Sequence, residues 1–190
     1  VPVSVTTSGV LNGKTIAQVS SGRNMTCVLD TDGLAYCWGG NSDGQLGNGT
    51  TTSSNVPVAV SMPGGVRFSG ISVGAAHVCA VSTTGSGYCW GYGGHGELGE
   101  GSIPPSPFNR TTPVAVSMPT GKTFRSISAG NRYTCAVTTD NLGYCWGLNG
   151  DSQLGIGSGS GTGVPPTQVA GSLSFRIIEA GSSTTCGLTT

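Results

Sequence analysis

Short stretches in which apolar and small polar residues alternate run along most of the chain. Val58-Ala59-Val60 and Ile71-Ser72-Val73 carry the two-residue period of half-buried strands. Val78-Cys79-Ala80-Val81 and Gly87-Tyr88-Cys89-Trp90 flank Ser82-Thr83-Thr84-Gly85-Ser86, whose composition is that of a hairpin turn. Equivalent turns fall at Thr31-Asp32-Gly33 and Thr139-Asp140-Asn141. No segment sustains a 3.6-residue apolar period, and glycine recurs too often for helices to survive. The pattern predicts an all-β chain of short antiparallel strands.

The pattern also repeats. Tyr36-Cys37-Trp38-Gly39 returns as Tyr88-Cys89-Trp90-Gly91 and Tyr144-Cys145-Trp146-Gly147, and these hold all three tryptophans of the chain. A glycine-rich run follows each time: Gly44-Gln45-Leu46-Gly47, Gly96-Glu97-Leu98-Gly99 and Ser152-Gln153-Leu154-Gly155. Val56-Pro57-Val58-Ala59-Val60-Ser61-Met62-Pro63 is matched by Thr112-Pro113-Val114-Ala115-Val116-Ser117-Met118-Pro119, and more loosely by Val1-Pro2-Val3-Ser4-Val5. The period of about 51–56 residues divides residues 1–190, a single domain, into repeats near 2–55, 57–112 and 113–164 and a truncated fourth, 165–190. About four strands per period is what a propeller blade requires.

Composition narrows the function classes. The chain has 190 residues, with 8 Lys+Arg against 8 Asp+Glu, and charged residues make up only 8%. A neutral chain offers no basic field for a nucleic-acid backbone, and no apolar run approaches the ~20 residues of a membrane span. The 34 glycines follow no Gly-X-Y period, which excludes collagen.

The unit Ser-x-Gly-x-x-x-Thr-Cys-Ala-Val…Gly-x-x-Tyr-Cys-Trp-Gly-x-Asn-x-x-Gly-Gln-Leu-Gly-x-Gly resembles the repeat of the RCC1 (regulator of chromosome condensation) superfamily, and most closely its bacterial secreted or surface branch. The resemblance covers essentially the whole chain. It implies a β-propeller, typically of seven blades, of which this chain supplies about three and a half.

Cysteines occupy two repeat positions, as Cys27/Cys37, Cys79/Cys89 and Cys135/Cys145, and Cys186 matches the first position of a further pair. A hairpin turn midway between the members sets them on facing strands, within disulfide reach at a Cα separation of roughly 4.5–5.5 Å. The alternatives are a metal site, for which the Cys-x9-Cys spacing lacks close CxxC pairs, and buried thiols acting as small hydrophobes. Disulfides place the protein outside the cytosol, extracellular or at the cell surface. The Asn24, Asn48 and Asn109 sequons are candidate glycosylation sites.

A catalytic residue ought to break the repeat, and few do. His77 stands where other copies have Met25 and Tyr133, and reads as a turn or strand-edge residue. His95 lies in a glycine loop without an acidic or cysteine partner at useful spacing. Asp30-Thr31-Asp32-Gly33 has the start of a calcium loop but lacks the distal Glu, so an ordinary turn explains it. Glu97 and Glu100 are replaced by Gln45/Asn48 and Gln153/Ile156 elsewhere, so the architecture demands no carboxylate pair. The residues point to no catalytic, cofactor or metal site.

The recurring Tyr-Cys-Trp stripe is expected to pack between blades. Recognition then falls on the loops that differ between copies: Tyr92–His95, Pro104–Arg110 and Ser158–Gly163. The reading is a non-enzymatic extracellular module whose partners are copies of itself or the rest of a longer chain. Protein or glycan ligands at the variable loops are a further possibility. A secreted binding propeller of the β-lactamase-inhibitor kind is the alternative; the nucleotide-exchange role of the eukaryotic founder lacks its basic tail. Cys186-Gly187-Leu188-Thr189-Thr190 reads as a strand without its return strand. Such an open edge is expected to assemble head to tail, as a fibre ahead of a closed ring.

Overall fold

The computed structural model describes residues 4–5, 7–103, 106, 108–157, 159 and 161–190. The Val1-Pro2-Val3 copy of the repeat lies outside the described residues. So do Pro104, Pro105 and Pro107 of one variable loop, and Ser158 and Ser160 of another.

Among the described residues fourteen strands form four antiparallel sheets, and no helix is present. The first sheet is β1 (Ile16–Ser21), β2 (Met25–Asp30), β3 (Ala35–Gly39) and β4 (Ser54–Ala59), paired in that order. The second is β5 (Phe68–Val73), β6 (His77–Ser82), β7 (Gly87–Gly91) and β8 (Arg110–Ala115). The third is β9 (Phe124–Ala129), β10 (Tyr133–Thr138), β11 (Gly143–Gly147) and β12 (Val164–Gln168). The fourth has two strands, β13 (Phe175–Ala180) and β14 (Thr185–Thr189). No helix is long and apolar enough to cross a membrane.

Each central hairpin is built the same way. Gly33, Gly85 and Asn141 supply the left-handed residue of the turn at φ 75°, 84° and 67°. The residue opening the turn accepts a main-chain N–H four residues on: Asp30 from Leu34, Ser82 from Ser86, and Thr138 from Leu142. Asp30-Thr31-Asp32-Gly33 is therefore a hairpin turn capped by its own carboxylate, which also receives the Tyr36 hydroxyl and faces Lys14 Nζ at 3.2 Å.

The hairpins put each cysteine pair in register. Cys27–Cys37, Cys79–Cys89 and Cys135–Cys145 are disulfides with Cα atoms 4.1 Å apart, a little closer than the expected range.

The innermost strands of successive sheets, β1, β5, β9 and β13, lie side by side and are joined by side chains. Ser20 Oγ accepts the Val73 N–H, Ser72 Oγ the Ala129 N–H and Ser128 Oγ the Ala180 N–H, each within 3.0 Å. Gln18 adds a two-way pair, accepting the Ile71 N–H at 3.0 Å and donating to the Ile71 carbonyl at 2.9 Å. The blades are thereby stepped around a common axis.

The Val-Pro-Val segments, which open each sequence period, close each sheet instead: β4 and β8 hydrogen-bond to the Tyr-Cys-Trp strand before them. The apolar cores lie between sheets. Leu46 and Val60 of the first blade pack with Phe68, Ile71 and Trp90 of the second, and Leu98 and Val116 of the second with Phe124 and Trp146 of the third.

Candidate functional site

The joint between blades determines what each blade edge can bind. Trp90 and Trp146 are fully buried, and each reaches back into the glycine loop of the preceding blade. Trp90 Nε1 donates to the Gln45 carbonyl at 3.0 Å, and Trp146 Nε1 to the Glu97 carbonyl at 2.9 Å. The rings stack on Phe68 and Phe124, with centroids 6.0 and 5.7 Å apart. Gly47 and Gly99 are required beneath them. Both have positive φ, and a Cβ on either would lie within 2.7 Å of the indole nitrogen.

His77 belongs to this joint. It is the first residue of β6, only 1% exposed, and so neither in a turn nor at an exposed strand edge. Its Nε2 lies 2.9 Å from Thr134 Oγ1, whose hydroxyl donates to the Glu97 carbonyl at 2.9 Å. The hydroxyl has a single proton, so His77 must be the donor through Nε2–H. Burial drives its pKa down to about 4, which keeps the ring neutral.

Glu97 is 1% exposed and takes over a task done by amides in the other blades. Gln45 Oε1 accepts the Asp43 N–H and Gln153 Oε1 the Asp151 N–H, while Glu97 Oε2 accepts the His95 N–H at 2.7 Å. Burial lifts the Glu97 pKa to about 7, against the lowering pull of that hydrogen bond and of Arg132 and with a small push from Asp43. Glu100 instead pairs with Arg110 at 3.0 Å, so the two glutamates do not form a catalytic dyad. His95 contacts the Tyr92 ring, and Glu97 meets its main chain rather than its imidazole.

The fourth sheet repeats the joint up to a point. Gln153, Leu154, Gly155, Val169, Phe175, Ile178 and Thr185 line a cavity of about 330 Å³. Gln153 O accepts Thr185 Oγ1 at 2.6 Å, as Glu97 O accepts Thr134. Phe175 holds the place of Phe68 and Phe124, and Gly155 that of Gly47 and Gly99. Along β14 the burial pattern breaks down. Leu188 is 55% exposed, whereas its counterparts Leu29, Val81 and Val137 are at most 3%. Cys186 is a free, exposed thiol where Cys27, Cys79 and Cys135 are sealed. In the first blade Trp38 is only half-buried.

The sequence-derived candidates do not converge. Asn24 is exposed near the start of β2, Asn48 binds Thr50 through Oδ1, and Asn109 Nδ2 donates to Asp43 at 3.0 Å. The cavity residues Gln153, Gly155, Phe175 and Ile178 were not among the candidates. The glycine and the phenylalanine recur at the repeat period, but that they meet across two blades is visible only in the folded chain.

Four-stranded meanders stepped about an axis define a β-propeller architecture. The chain belongs to the RCC1 family: the regulator of chromosome condensation repeat matches at residues 32–81 and 84–137, and a second form of it at 16–45 and 124–153. The ultraviolet-B receptor UVR8 of Arabidopsis thaliana is 33% identical over 77% of this chain. The mitochondrial RCC1 domain-containing protein RUG3, of the same plant, is 33% identical over 74%. The chain spans about a third of the length of these two relatives (32% and 31%). Among solved structures, yeast RCC1 (Prp20) bound to Kap60 superposes with a TM-score of 0.81 at 22% identity, covering 95% of this chain and 43% of that one. Human WBSCR16 gives 0.82 at 20%, covering 96% and 46%.

Proposed function

We propose that this chain is a non-enzymatic extracellular interaction module that assembles through its half-blade, the β13–β14 sheet, into a fibre or surface-adhesion assembly. The observation that carries the reading is the β13–β14 sheet. Among the described residues it has two strands where the other sheets have four, and Ile177, Leu188 and Cys186 are exposed on it, a surface that a further strand from another copy or from the rest of a longer chain would cover. The groups with the most perturbed titration, His77 and Glu97, support the non-enzymatic part. Both are buried and engaged: His77 bonds Thr134 of the third blade, and the Glu97 carboxyl braces the loop whose carbonyl receives Thr134 and Trp146, so a structural task accounts for their shifts.

Three hairpin disulfides favour an oxidising compartment. On that ground we place the chain with the secreted or surface branch of the family, although the relatives named above are eukaryotic and one is mitochondrial. Protein partners agree with the propeller neighbours, yeast RCC1 being solved with Kap60 and Prp20p being described by its binding to Gsp1p and histones. Asn24 and Asn48 are the sequons we propose for glycan attachment, while a glycan on Asn109 would compete with its hydrogen bond to Asp43.

Sedimentation velocity of the untagged chain tests the assembly. Species should grow with concentration through the micromolar range, and the Cys186 thiol should lose reactivity in parallel. A folded monomer at every concentration, with Cys186 freely reactive, would contradict it.

A further inference from the structure

The turns that lead into the innermost strands repeat, and one of them carries a residue with chemistry of its own. Residues 11–14 precede β1, 63–66 precede β5 and 119–122 precede β9. In each turn the last residue donates its N–H to the carbonyl of the first, at 3.1, 3.0 and 3.0 Å. The third residue is Gly13, Gly65 or Gly121, with φ 71°, 74° and 72°, as a type II turn requires. The second residue differs: it is Gly64 and Thr120 in two copies and Asn12 in the first. Gly64-Gly65 and Thr120-Gly121 are exposed although complete blades stand on both sides of them, so exposure belongs to the turn itself. Asn12 and Gly13 are exposed in the same way.

An asparagine followed by glycine can react with its own main chain, and the sequence has three such pairs: Asn12-Gly13, Asn48-Gly49 and Asn149-Gly150. Two are held shut. The Gly49 N–H donates to the Thr111 carbonyl at 2.9 Å, and Asn48 Oδ1 accepts the N–H and the hydroxyl of Thr50. Asn149 is 2% exposed, its Nδ2 donates to the Gly159 carbonyl and its Oδ1 accepts the Leu154 N–H. Among the described residues no hydrogen bond engages the Asn12 side-chain amide or the Gly13 N–H, and a Cβ on Gly13 would meet nothing within 4 Å.

We propose that Asn12-Gly13 is a self-modification site, where the folded chain converts its asparagine to aspartyl and isoaspartyl residues. The Gly13 nitrogen attacks Asn12 Cγ, the new C–N bond closes a succinimide, and Nδ2 leaves as ammonia with the proton that Gly13 gives up. Water then opens the ring at either carbonyl, leaving an ordinary aspartate or one whose main chain runs through Cβ. The attack needs the peptide plane between the two central residues to turn, the same rotation by which type I and type II turns interconvert. Glycine, lacking a Cβ, opposes that rotation least. Both products carry a new carboxylate two residues from Lys14, whose Nζ pairs with Asp30 and Asp32. The isoaspartyl form also lengthens the link between β1 and Leu11, which is buried against Val28 and Tyr36. None of this depends on the assembly reading.

Peptide mapping by mass spectrometry tests the site, on chain produced without glycans and held folded at mildly alkaline pH. Asn12 should convert about tenfold faster than Asn48 or Asn149, the factor that one hydrogen bond to be broken imposes on a rate. Its peptide should split into an aspartyl and isoaspartyl pair, and Asn12→Gln should remove that early product. In concentrated urea the three rates should converge, since glycine follows each asparagine. Equal rates in the folded chain would overturn the proposal. So would an undiminished lead of Asn12 in urea, which would put the order in the neighbouring sequence rather than in the fold.

Discussion

Replacing Glu97 with glutamine is expected to stabilise the chain by about 2–3 kcal/mol at pH 8 and by almost nothing at pH 4.5. The native carboxyl has a pKa of about 7, above the ordinary 4.5. Below 4.5 it is protonated in both states and contributes no difference. Between 4.5 and 7 the folded chain keeps a proton that the unfolded chain has released, so stability falls as pH rises. Above 7 the full cost of a buried carboxylate is present. Glutamine already performs this task at Gln45 and Gln153, so the exchange fits the loop.

His77 works in the opposite direction. Its pKa is lowered from 6.5 to about 4, so the unfolded chain binds a proton that the folded one refuses. Stability from this group is therefore lost as pH falls from 6.5 towards 4. The two slopes oppose each other between 4.5 and 6.5, and Glu97→Gln should uncover the histidine's slope there. Urea unfolding of both proteins across this range checks the claim, and an equal gain at pH 4.5 and pH 8 would count against it.

The second large effect is at the indoles. Trp146→Ala removes a fully buried ring, its hydrogen bond to Glu97 and its stacking on Phe124, and should cost about 3–5 kcal/mol. Trp38→Ala, at the same repeat position but half-buried in this chain, should cost about 1–2 kcal/mol. The gap between the variants measures the blade joint itself. Equal losses in denaturant unfolding would mean that the indoles stabilise their own sheets rather than the seam between sheets.

Much of this was legible in the chain because a repeat states the same constraint three times. The hairpins followed from two-residue alternation around Gly33, Gly85 and Asn141, and the facing cysteines from turns placed midway between them. The packing role of Trp90 and Trp146 followed from strict recurrence. Other features were not legible, for physical reasons. Periodicity has no phase: the Val-Pro-Val segments mark each period, but hydrogen bonding to β3 and β7 makes them the last strands of the preceding blades. His77 and Glu97 break the repeat, and one sequence does not reveal whether such a position is open or sealed. Both turned out to lie in the seam between the second and third blades, where a side chain distant in sequence closes over them. The cavity at Phe175 was hidden for the same reason, since it is formed by loop and strand residues that meet only when two blades pack.

Hydrogen exchange along β14, read in dilute protein and again under the conditions where larger species form, tests the central claim most directly. If the half-blade is the interaction edge, the amides of Thr185–Thr189 become protected on assembly, and those of β2, β6 and β10, already enclosed within complete sheets, change little. Assembly with β14 still exchanging as it does in the dilute chain would contradict the account.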